Sequence, residues 1–128
     1  MLLRAPVAIA GAGKRVHLVE PIEYLPFVYL MDRCYLIVAD SGGVQEEAPS
    51  FGKPVLVTRA VTERREAVRA GLAKLVGTEC RTIVAEASRS LAEPVAYAGM
   101  TTPANPYGDG EAAKRIVDIL YRGRNEEE

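Results

Sequence analysis

Residues 35–58 alternate between apolar runs and a glycine-containing turn, and this alternation limits the fold more than any other feature of the chain. An apolar run at 35–39 precedes Asp40-Ser41-Gly42-Gly43, and another covers 54–58. Similar runs at 15–19 and 73–76 predict four strands in all, with helical periodicity between them. Parallel strands need a long crossover, which is usually a helix. The sequence therefore predicts an α/β fold built on a parallel sheet.

The turn Ser41-Gly42-Gly43 is the strongest candidate for a ligand site. It places a hydroxyl and two residues without side chains at the start of a helix, where bare N–H groups and the helix dipole favour a phosphate. Glu46 and Glu47 follow one turn later, where a carboxylate can accept hydrogen bonds from ribose hydroxyls. A nucleotide or nucleotide-sugar is therefore the expected ligand. The alternative is that Ser41 only caps the helix within an ordinary turn.

The helices are predicted from apolar spacing and capping residues. Thr62 is expected to cap a helix over 63–70 that ends at Gly71, Thr78 to cap the next helix, and Asp109 to cap the last one. The first helix has Pro26 in its first turn and an apolar face expected to pack on the sheet, formed by Tyr24, Phe27, Val28, Leu30 and Met31. Two further apolar faces are predicted, one from Ile83, Val84, Ala87 and Leu91, and one from Ala113, Ile116, Val117 and Leu120.

Length and composition exclude several classes of protein. The 128 residues are 48% hydrophobic and 26% charged, which suits one compact domain over 1–122 with a frayed polar tail at 123–128. A net charge of −1 without a Lys/Arg-rich run argues against nucleic acid or a membrane surface as partner. Cys34 and Cys80 are expected to be reduced thiols in a cytoplasmic protein. No metal, nicotinamide or other cofactor is expected, because there is no ligand cluster and no G-x-G-x-x-G pattern.

Four motifs occur in the order of one known family. They are Pro21-Ile22-Glu23-Tyr24-Leu25-Pro26-Phe27, Ala39-Asp40-Ser41-Gly42-Gly43-Val44-Gln45-Glu46-Glu47-Ala48-Pro49, Thr62-Glu63-Arg64 and Asn105-Pro106-Tyr107-Gly108-Asp109-Gly110. The chain closely resembles the non-hydrolysing UDP-N-acetylglucosamine 2-epimerases over about residues 4–120, which match only the carboxyl-terminal part of that family. The resemblance implies part of the second domain of a GT-B fold, a Rossmann-like, three-layer α/β/α parallel sheet. In the usual strand order 3-2-1-4-5-6, strands 3 to 6 are present and the central strands 1 and 2 are not.

The resemblance also implies the roles of individual residues. Phe27 lies against the uracil and ribose, Ser41, Gly42 and Gly43 hold the diphosphate, Glu47 takes the ribose hydroxyls and Arg64 binds near the phosphates. No catalytic residue is implied in this chain, because the family's catalytic carboxylates belong to its amino-terminal domain. Structural alternatives to a functional role also remain open for individual residues. Phe27 suits the core, and Glu46 suits a solvated helix position. His17 suits a structural place in a strand, and Asp109 suits a helix cap.

Three functions follow from these expectations. The first is the UDP-binding part of an epimerase that interconverts UDP-N-acetylglucosamine and UDP-N-acetylmannosamine, and this part is expected to be inactive alone. The others are a non-catalytic module for UDP or a nucleotide-sugar, and the donor-binding domain of a GT-B glycosyltransferase. The expected ligand is UDP-N-acetylglucosamine or UDP. Open strand edges also predict a homodimer or a second chain that supplies the amino-terminal domain.

Overall fold

The computed structural model describes residues 16–17, 19–101 and 105–125. Helices and short strands alternate along most of this range, as the sequence predicts. The strands are β1 (Ile37–Ala39), β2 (Val55–Val57) and β3 (Ala73–Leu75), and a 3₁₀ helix occupies Ala48–Phe51. The α-helices are α1 (Tyr24–Arg33), α2 (Gly42–Glu47), α3 (Arg65–Arg69), α4 (Cys80–Ala92), α5 (Pro94–Ala98) and α6 (Ala112–Asn125).

The three strands form one parallel sheet in the order β1-β2-β3. Ile37 pairs with Val55, and Val55 pairs with Ala73 on its other side. All three residues of β2 are fully buried, which is typical of a central strand in a parallel sheet covered on both faces. This sheet corresponds to strands 4, 5 and 6 of the predicted order, and the α/β fold class is confirmed.

The predicted strand at 15–19 does not form in the described residues. Arg15 and Leu18 lie outside them, and Val16, His17 and Val19 belong to no strand. A strand needs a hydrogen-bonded neighbour, and the order 3-2-1-4-5-6 places two strands between this segment and β1. Among the described residues β1 is paired only on its β2 side, so its other edge is open.

The hydrophobic core lies between the sheet and the helices that flank it. Its buried members are Met31, Val44, Ala48, Val55, Val57, Ala67 and Ala73. On α1 only Met31 is buried, whereas Tyr24 and Leu30 are exposed, so the predicted apolar face of this helix is covered only in part. On α4, Val84 and Leu91 also face outward, and the covered side carries Ile83, Ala87 and Ser90.

Three of the predicted helix caps are wrong. α3 begins at Arg65 with Arg64 as its N-cap, and α4 begins at Cys80 with Glu79 as its N-cap. The hydroxyl of Thr62 instead donates a buried hydrogen bond to the Gln45 side chain. Asp109 lies three residues before α6 begins, where it accepts a hydrogen bond from the Glu111 N–H and pairs with Arg115. Gly71 does follow the end of α3 with a positive φ of 75°, as predicted.

The last helix is longer than expected and its apolar face is bare. It continues to Asn125, so the first three residues of the predicted tail are helical, while 126–128 lie outside the described residues. Ala113, Ile116, Val117 and Leu120 are all exposed, as the sequence predicts for a face without a partner. None of the helices in the described ranges is long and apolar enough to cross a membrane.

Candidate functional site

The candidate site lies at the carboxyl ends of β1 and β2. β1 ends at Ala39 and leads through Asp40 into the turn before α2, and β2 ends at Val57 and leads into the loop that carries Arg64. In a parallel sheet the carboxyl ends of neighbouring strands meet at one edge, where ligands usually bind. The topology therefore brings two of the predicted site segments together although they are about 20 residues apart in sequence.

The glycine turn is both a helix cap and an anion-compatible surface. Ser41 is the N-cap of α2, and its Oγ accepts a hydrogen bond from the Val44 N–H at 3.4 Å. The first intrahelical bond runs from the Gln45 N–H to the Ser41 carbonyl at 3.3 Å. The N–H groups of Gly42 and Gly43 precede that bond, so the helix itself offers them no acceptor. The capping alternative is thus correct for Ser41, and it leaves two N–H groups for a ligand.

The guanidinium group of Arg64 lies directly beside this turn. Its Nη2 atom is 3.8 Å from the position that a Cβ atom would take on Gly42, which is van der Waals distance, so the cation lies against the backbone of the turn. The Arg64 side chain is 35% exposed and contacts the Glu46 carboxylate through Nε. That Nε atom is buried and makes no well-directed hydrogen bond within the described residues. A second carboxylate, Glu63, lies 3.9 Å from Nη1.

The charge of Glu63 is stabilised by its surroundings. A backbone hydrogen bond lowers the pKa of this carboxyl below its usual value, and the nearby cations Arg59 and Arg64 lower it further. Glu63 is therefore ionised at neutral pH. Arg64 thus lies between two carboxylates, Glu46 and Glu63, and Glu63 also pairs with Arg59.

Glu47 already binds a hydroxyl group. Its Oε2 atom accepts a hydrogen bond of 2.8 Å from the phenol of Tyr24, and this bond, together with the negative charge of Glu47, raises the pKa of Tyr24. Its Oε1 atom lies 3.8 Å from the Cβ position of Gly43, so the carboxylate adjoins the glycine turn. The carboxylate of Glu47 can therefore accept a hydrogen bond from a hydroxyl group, and its contact with the ribose stays a prediction.

Phe27 lines an apolar depression beside the sheet. It is 39% exposed, and the depression of about 240 Å³ is also lined by Met31, Cys34 and Ile37. Phe27 is therefore accessible to a ligand and is not part of the buried core. The structure brings Ser41, Gly42, Gly43, Glu47 and Arg64 together, and it places Phe27 one turn beyond Tyr24 on α1.

Sequence reasoning missed four residues that build this site. Glu46 was expected to be solvated but pairs with Arg64, and Tyr24 was assigned to an apolar face but binds Glu47. Gln45 is fully buried and Thr62 is 3% exposed; the Thr62 hydroxyl donates to Gln45 Oε1 at 2.7 Å. The strand order was an available signal for Gln45, Glu46 and Thr62, since residues after β1 and after β2 must share one edge, whereas Tyr24 precedes β1.

Comparison with known proteins gives the family. A sequence model of the family described as UDP-N-acetylglucosamine 2-epimerase matches residues 3–121. The chain belongs to the UDP-N-acetylglucosamine 2-epimerase family. It is 54% identical over 123 residues to the UDP-N-acetylglucosamine 2-epimerase of Escherichia coli K12, covering 95% of this chain and 33% of that protein. A probable UDP-N-acetylglucosamine 2-epimerase of Ralstonia solanacearum is 57% identical over 119 residues, covering 92% of this chain and 32% of that protein.

Solved structures of similar proteins share the fold. The UDP-GlcNAc 2-epimerase of Neisseria meningitidis bound to UDP-GlcNAc has a TM-score of 0.78 and 55% identity, covering 83% of this chain and 29% of that one. The Staphylococcus aureus MnaA–UDP structure has a TM-score of 0.83 and 44% identity, covering 91% of this chain and 32% of that one. The GT-B assignment is confirmed by these neighbours. The chain spans about a third of the length of the curated relatives it matches.

Proposed function

We propose that this chain is the UDP-binding part of a UDP-N-acetylglucosamine 2-epimerase, an isomerase that interconverts UDP-N-acetylglucosamine and UDP-N-acetylmannosamine. The observation that carries the proposal is the placement of the Arg64 guanidinium beside the backbone of the glycine turn, at the carboxyl edge of a parallel sheet. Backbone N–H groups and a fixed cation are the groups that bind phosphate. The family match and the ligands named for the Neisseria and Staphylococcus structures support UDP as the nucleotide.

In this proposal each site residue contacts one part of the ligand. Ser41, Gly42 and Gly43 hold the diphosphate, with Arg64 as the counter-charge. Glu47 exchanges the Tyr24 hydroxyl for those of the ribose, since a carboxylate can accept from a pair of neighbouring hydroxyls. Phe27 offers an accessible aromatic face to the uracil.

The chemical step is assigned to a different part of the enzyme. Epimerisation at C2 removes and returns a proton, which needs an acid and a base positioned at the sugar. The proposed site consists of groups that bind a nucleotide. We therefore assign the acid and base to an amino-terminal domain, supplied within a longer protein or by a second chain.

The open surfaces support an association of this kind. Within the described ranges the outer edge of β1 has no hydrogen-bonded neighbour, and α6 exposes its apolar face. We propose that a homodimer or a chain carrying the amino-terminal domain covers them. A cytoplasmic location accords with Cys34 and Cys80, which are both free thiols.

Calorimetric titration with UDP, UDP-N-acetylglucosamine and ADP tests the ligand. Loss of a charged hydrogen-bonding partner costs roughly 1.5–3 kcal/mol, so Arg64→Ala is expected to weaken UDP binding by at least about tenfold. Arg89→Ala is the matched control, because Arg89 also pairs with a carboxylate, Glu93, but lies on α4. Equal UDP affinity for Arg64→Ala and the parent refutes the assignment of Arg64. ADP binding as tight as UDP refutes the uridine preference.

Isotope exchange tests whether the acid and base that act at C2 lie outside this chain. The purified chain, incubated with UDP-N-acetylglucosamine in deuterated water, is expected to leave the C2 proton in place because no acid–base pair reaches it. Incorporation of deuterium at C2 by this chain alone would show that the catalytic groups have been misplaced.

A further inference from the structure

The backbone of Arg64 has a conformation that belongs to neither a helix nor a strand. Its φ of −90° and ψ of 61° resemble the centre of an inverse γ-turn, immediately before α3. Both of its peptide groups bond to side-chain hydroxyls. The Arg64 N–H donates to Thr62 Oγ1 at 3.1 Å, and the Arg64 carbonyl accepts from the phenol of Tyr107 at 3.3 Å. The residue is thus held from two directions.

Tyr107 makes a second bond at the start of α3. Its phenol oxygen accepts from the Ala67 N–H at 3.3 Å. Ala67 is the third residue of this helix, where the N–H has no partner within the helix. Burial raises the pKa of the Tyr107 phenol, so the hydroxyl keeps the proton that it donates to Arg64. One phenol therefore joins the carbonyl before α3 to an amide in its first turn.

Tyr107 is also connected, through Asn105, to the 3₁₀ helix that follows α2. The Tyr107 N–H donates to Asn105 Oδ1 at 2.9 Å, and Asn105 Nδ2 donates to Ser50 Oγ at 2.8 Å. Ser50 belongs to the 3₁₀ helix that follows α2. The Asn-Pro-Tyr motif thus connects the segment after the glycine turn with the segment that carries Arg64.

Thr62 is anchored to the glycine turn through a buried amide. Its hydroxyl donates to Gln45 Oε1, and Gln45 Nε2 donates to the Ser41 carbonyl at 3.1 Å. Because Gln45 and Thr62 are both buried, water does not compete for these bonds. A continuous path of hydrogen bonds therefore runs from Ser41 to the Arg64 N–H.

We propose that Tyr107 and Thr62 are positioning residues that fix the Arg64 backbone so that its guanidinium points at the glycine turn. Neither side chain needs to touch the ligand. The inference rests on the proposed function, in which Arg64 binds the diphosphate. It assigns the Asn105–Tyr107 part of the last motif a role in ligand binding.

Calorimetry on the full chain with UDP as titrant tests the proposal. Tyr107→Phe keeps the ring and removes the hydroxyl, Thr62→Val keeps the shape and removes the hydroxyl, and Thr62→Ser restores it. Each loss is expected to weaken UDP roughly three- to tenfold, the range of one net hydrogen bond, whereas Thr62→Ser binds within about twofold of the parent. In an Arg64→Ala background, Tyr107→Phe and Thr62→Val are expected to cause no further loss, because the positioned group is gone.

Tyr97→Phe is the matched control. The phenol of Tyr97 donates to the Tyr35 carbonyl at 3.0 Å, so this variant also loses a phenol-to-carbonyl bond, but one that involves no residue of the site. Its UDP affinity is expected to equal that of the parent. A loss in Tyr97→Phe as large as in Tyr107→Phe, or an equal loss from Tyr107→Phe with and without Arg64, overturns the positioning role. Unchanged affinity in both Tyr107→Phe and Thr62→Val overturns it as well.

Amide hydrogen exchange separates this inference from the proposed function. In the free protein, Tyr107→Phe is expected to accelerate exchange of the Ala67 amide at least about fivefold, and Tyr97→Phe to leave it unchanged. If the parent chain does not bind UDP, the proposed function fails, and the exchange of the Arg64 and Ala67 amides still decides whether Tyr107 and Thr62 fix this segment. Unchanged exchange of the Ala67 amide in Tyr107→Phe and of the Arg64 amide in Thr62→Val refutes that role.

Discussion

Removal of the Thr62 hydroxyl is expected to destabilise the fold through its buried partner. In Thr62→Val the side chain keeps its shape, but Gln45 Oε1, in a residue with no exposed surface, loses the donor at 2.7 Å. A buried acceptor without a partner costs about 1–3 kcal/mol. The Arg64 N–H also loses its acceptor, but Arg64 is partly exposed and water can replace that bond. The expected loss in the free energy of unfolding is about 2 kcal/mol.

The double variant gives the sharper test. Gln45→Leu alone leaves the Thr62 hydroxyl without its buried acceptor, and it is expected to cost about 2 kcal/mol for the same reason. When both polar partners are replaced by apolar groups, no unpaired donor or acceptor is left between them. The pair Gln45→Leu/Thr62→Val should therefore cost about 1–2 kcal/mol less than the sum of the single variants.

Urea unfolding followed by circular dichroism measures both effects. With a denaturant dependence of about 2 kcal/mol per molar, each single variant is expected to lower the midpoint by about 1 M. Thr62→Ser is the control, because it keeps the hydroxyl and should lie within about 0.5 kcal/mol of the parent apart from the lost methyl group. A double variant as unstable as the sum of the singles refutes the reasoning, as does a Thr62→Val midpoint equal to that of the parent.

Two further predictions concern glycine conformation and thiol reactivity. Gly52 and Gly77 both have positive φ, 62° and 67°, but a Cβ atom on Gly52 would lie 3.1 Å from a backbone carbonyl oxygen, whereas the space around Gly77 is open among the described residues. Urea unfolding should therefore show a loss of about 1 kcal/mol for Gly77→Ala and about 2–3 kcal/mol for Gly52→Ala; equal losses would contradict the clash. Burial raises the pKa of the Cys34 thiol, and Cys80 is exposed, so a thiol reagent at about pH 8 should label Cys80 several-fold faster in the native protein and both at similar rates in urea. Equal native rates would refute this.

The sheet and the glycine turn were predictable because local patterns determine them. Residues 35–39, 54–58 and 73–76 contain β1, β2 and β3, and Ser41 caps α2 as its type and position suggest. The segment at 15–19 has a similar pattern but no described strand, because strand formation depends on a neighbour that local sequence does not report. Local pattern predicts which segments suit a strand, and pairing decides which of them form one.

The side-chain contacts of the site could not be read from local pattern. Thr62 has the residue type of a helix cap, but its hydroxyl pairs with Gln45, which is 17 residues away in sequence. Tyr107 is 40 residues from Ala67, and its cap of α3 depends on how the chain returns to that helix. Such contacts follow from tertiary packing, whereas the candidate residues Ser41, Gly42, Gly43 and Arg64 shared an edge that the strand order alone would predict.

The two carboxylates beside Arg64 change the conditions under which an anion can bind. Glu46 and Glu63 already neutralise the guanidinium, so an arriving phosphate exchanges existing ion pairs for new ones. Dissolved salt screens the broken and the new pairs alike, and the affinity should therefore depend less on ionic strength than it would at an unpaired arginine. A single negative charge gains little from displacing two carboxylates, whereas a diphosphate brings several charges to the same point. We therefore expect chloride and other small monovalent anions to bind poorly beside Arg64.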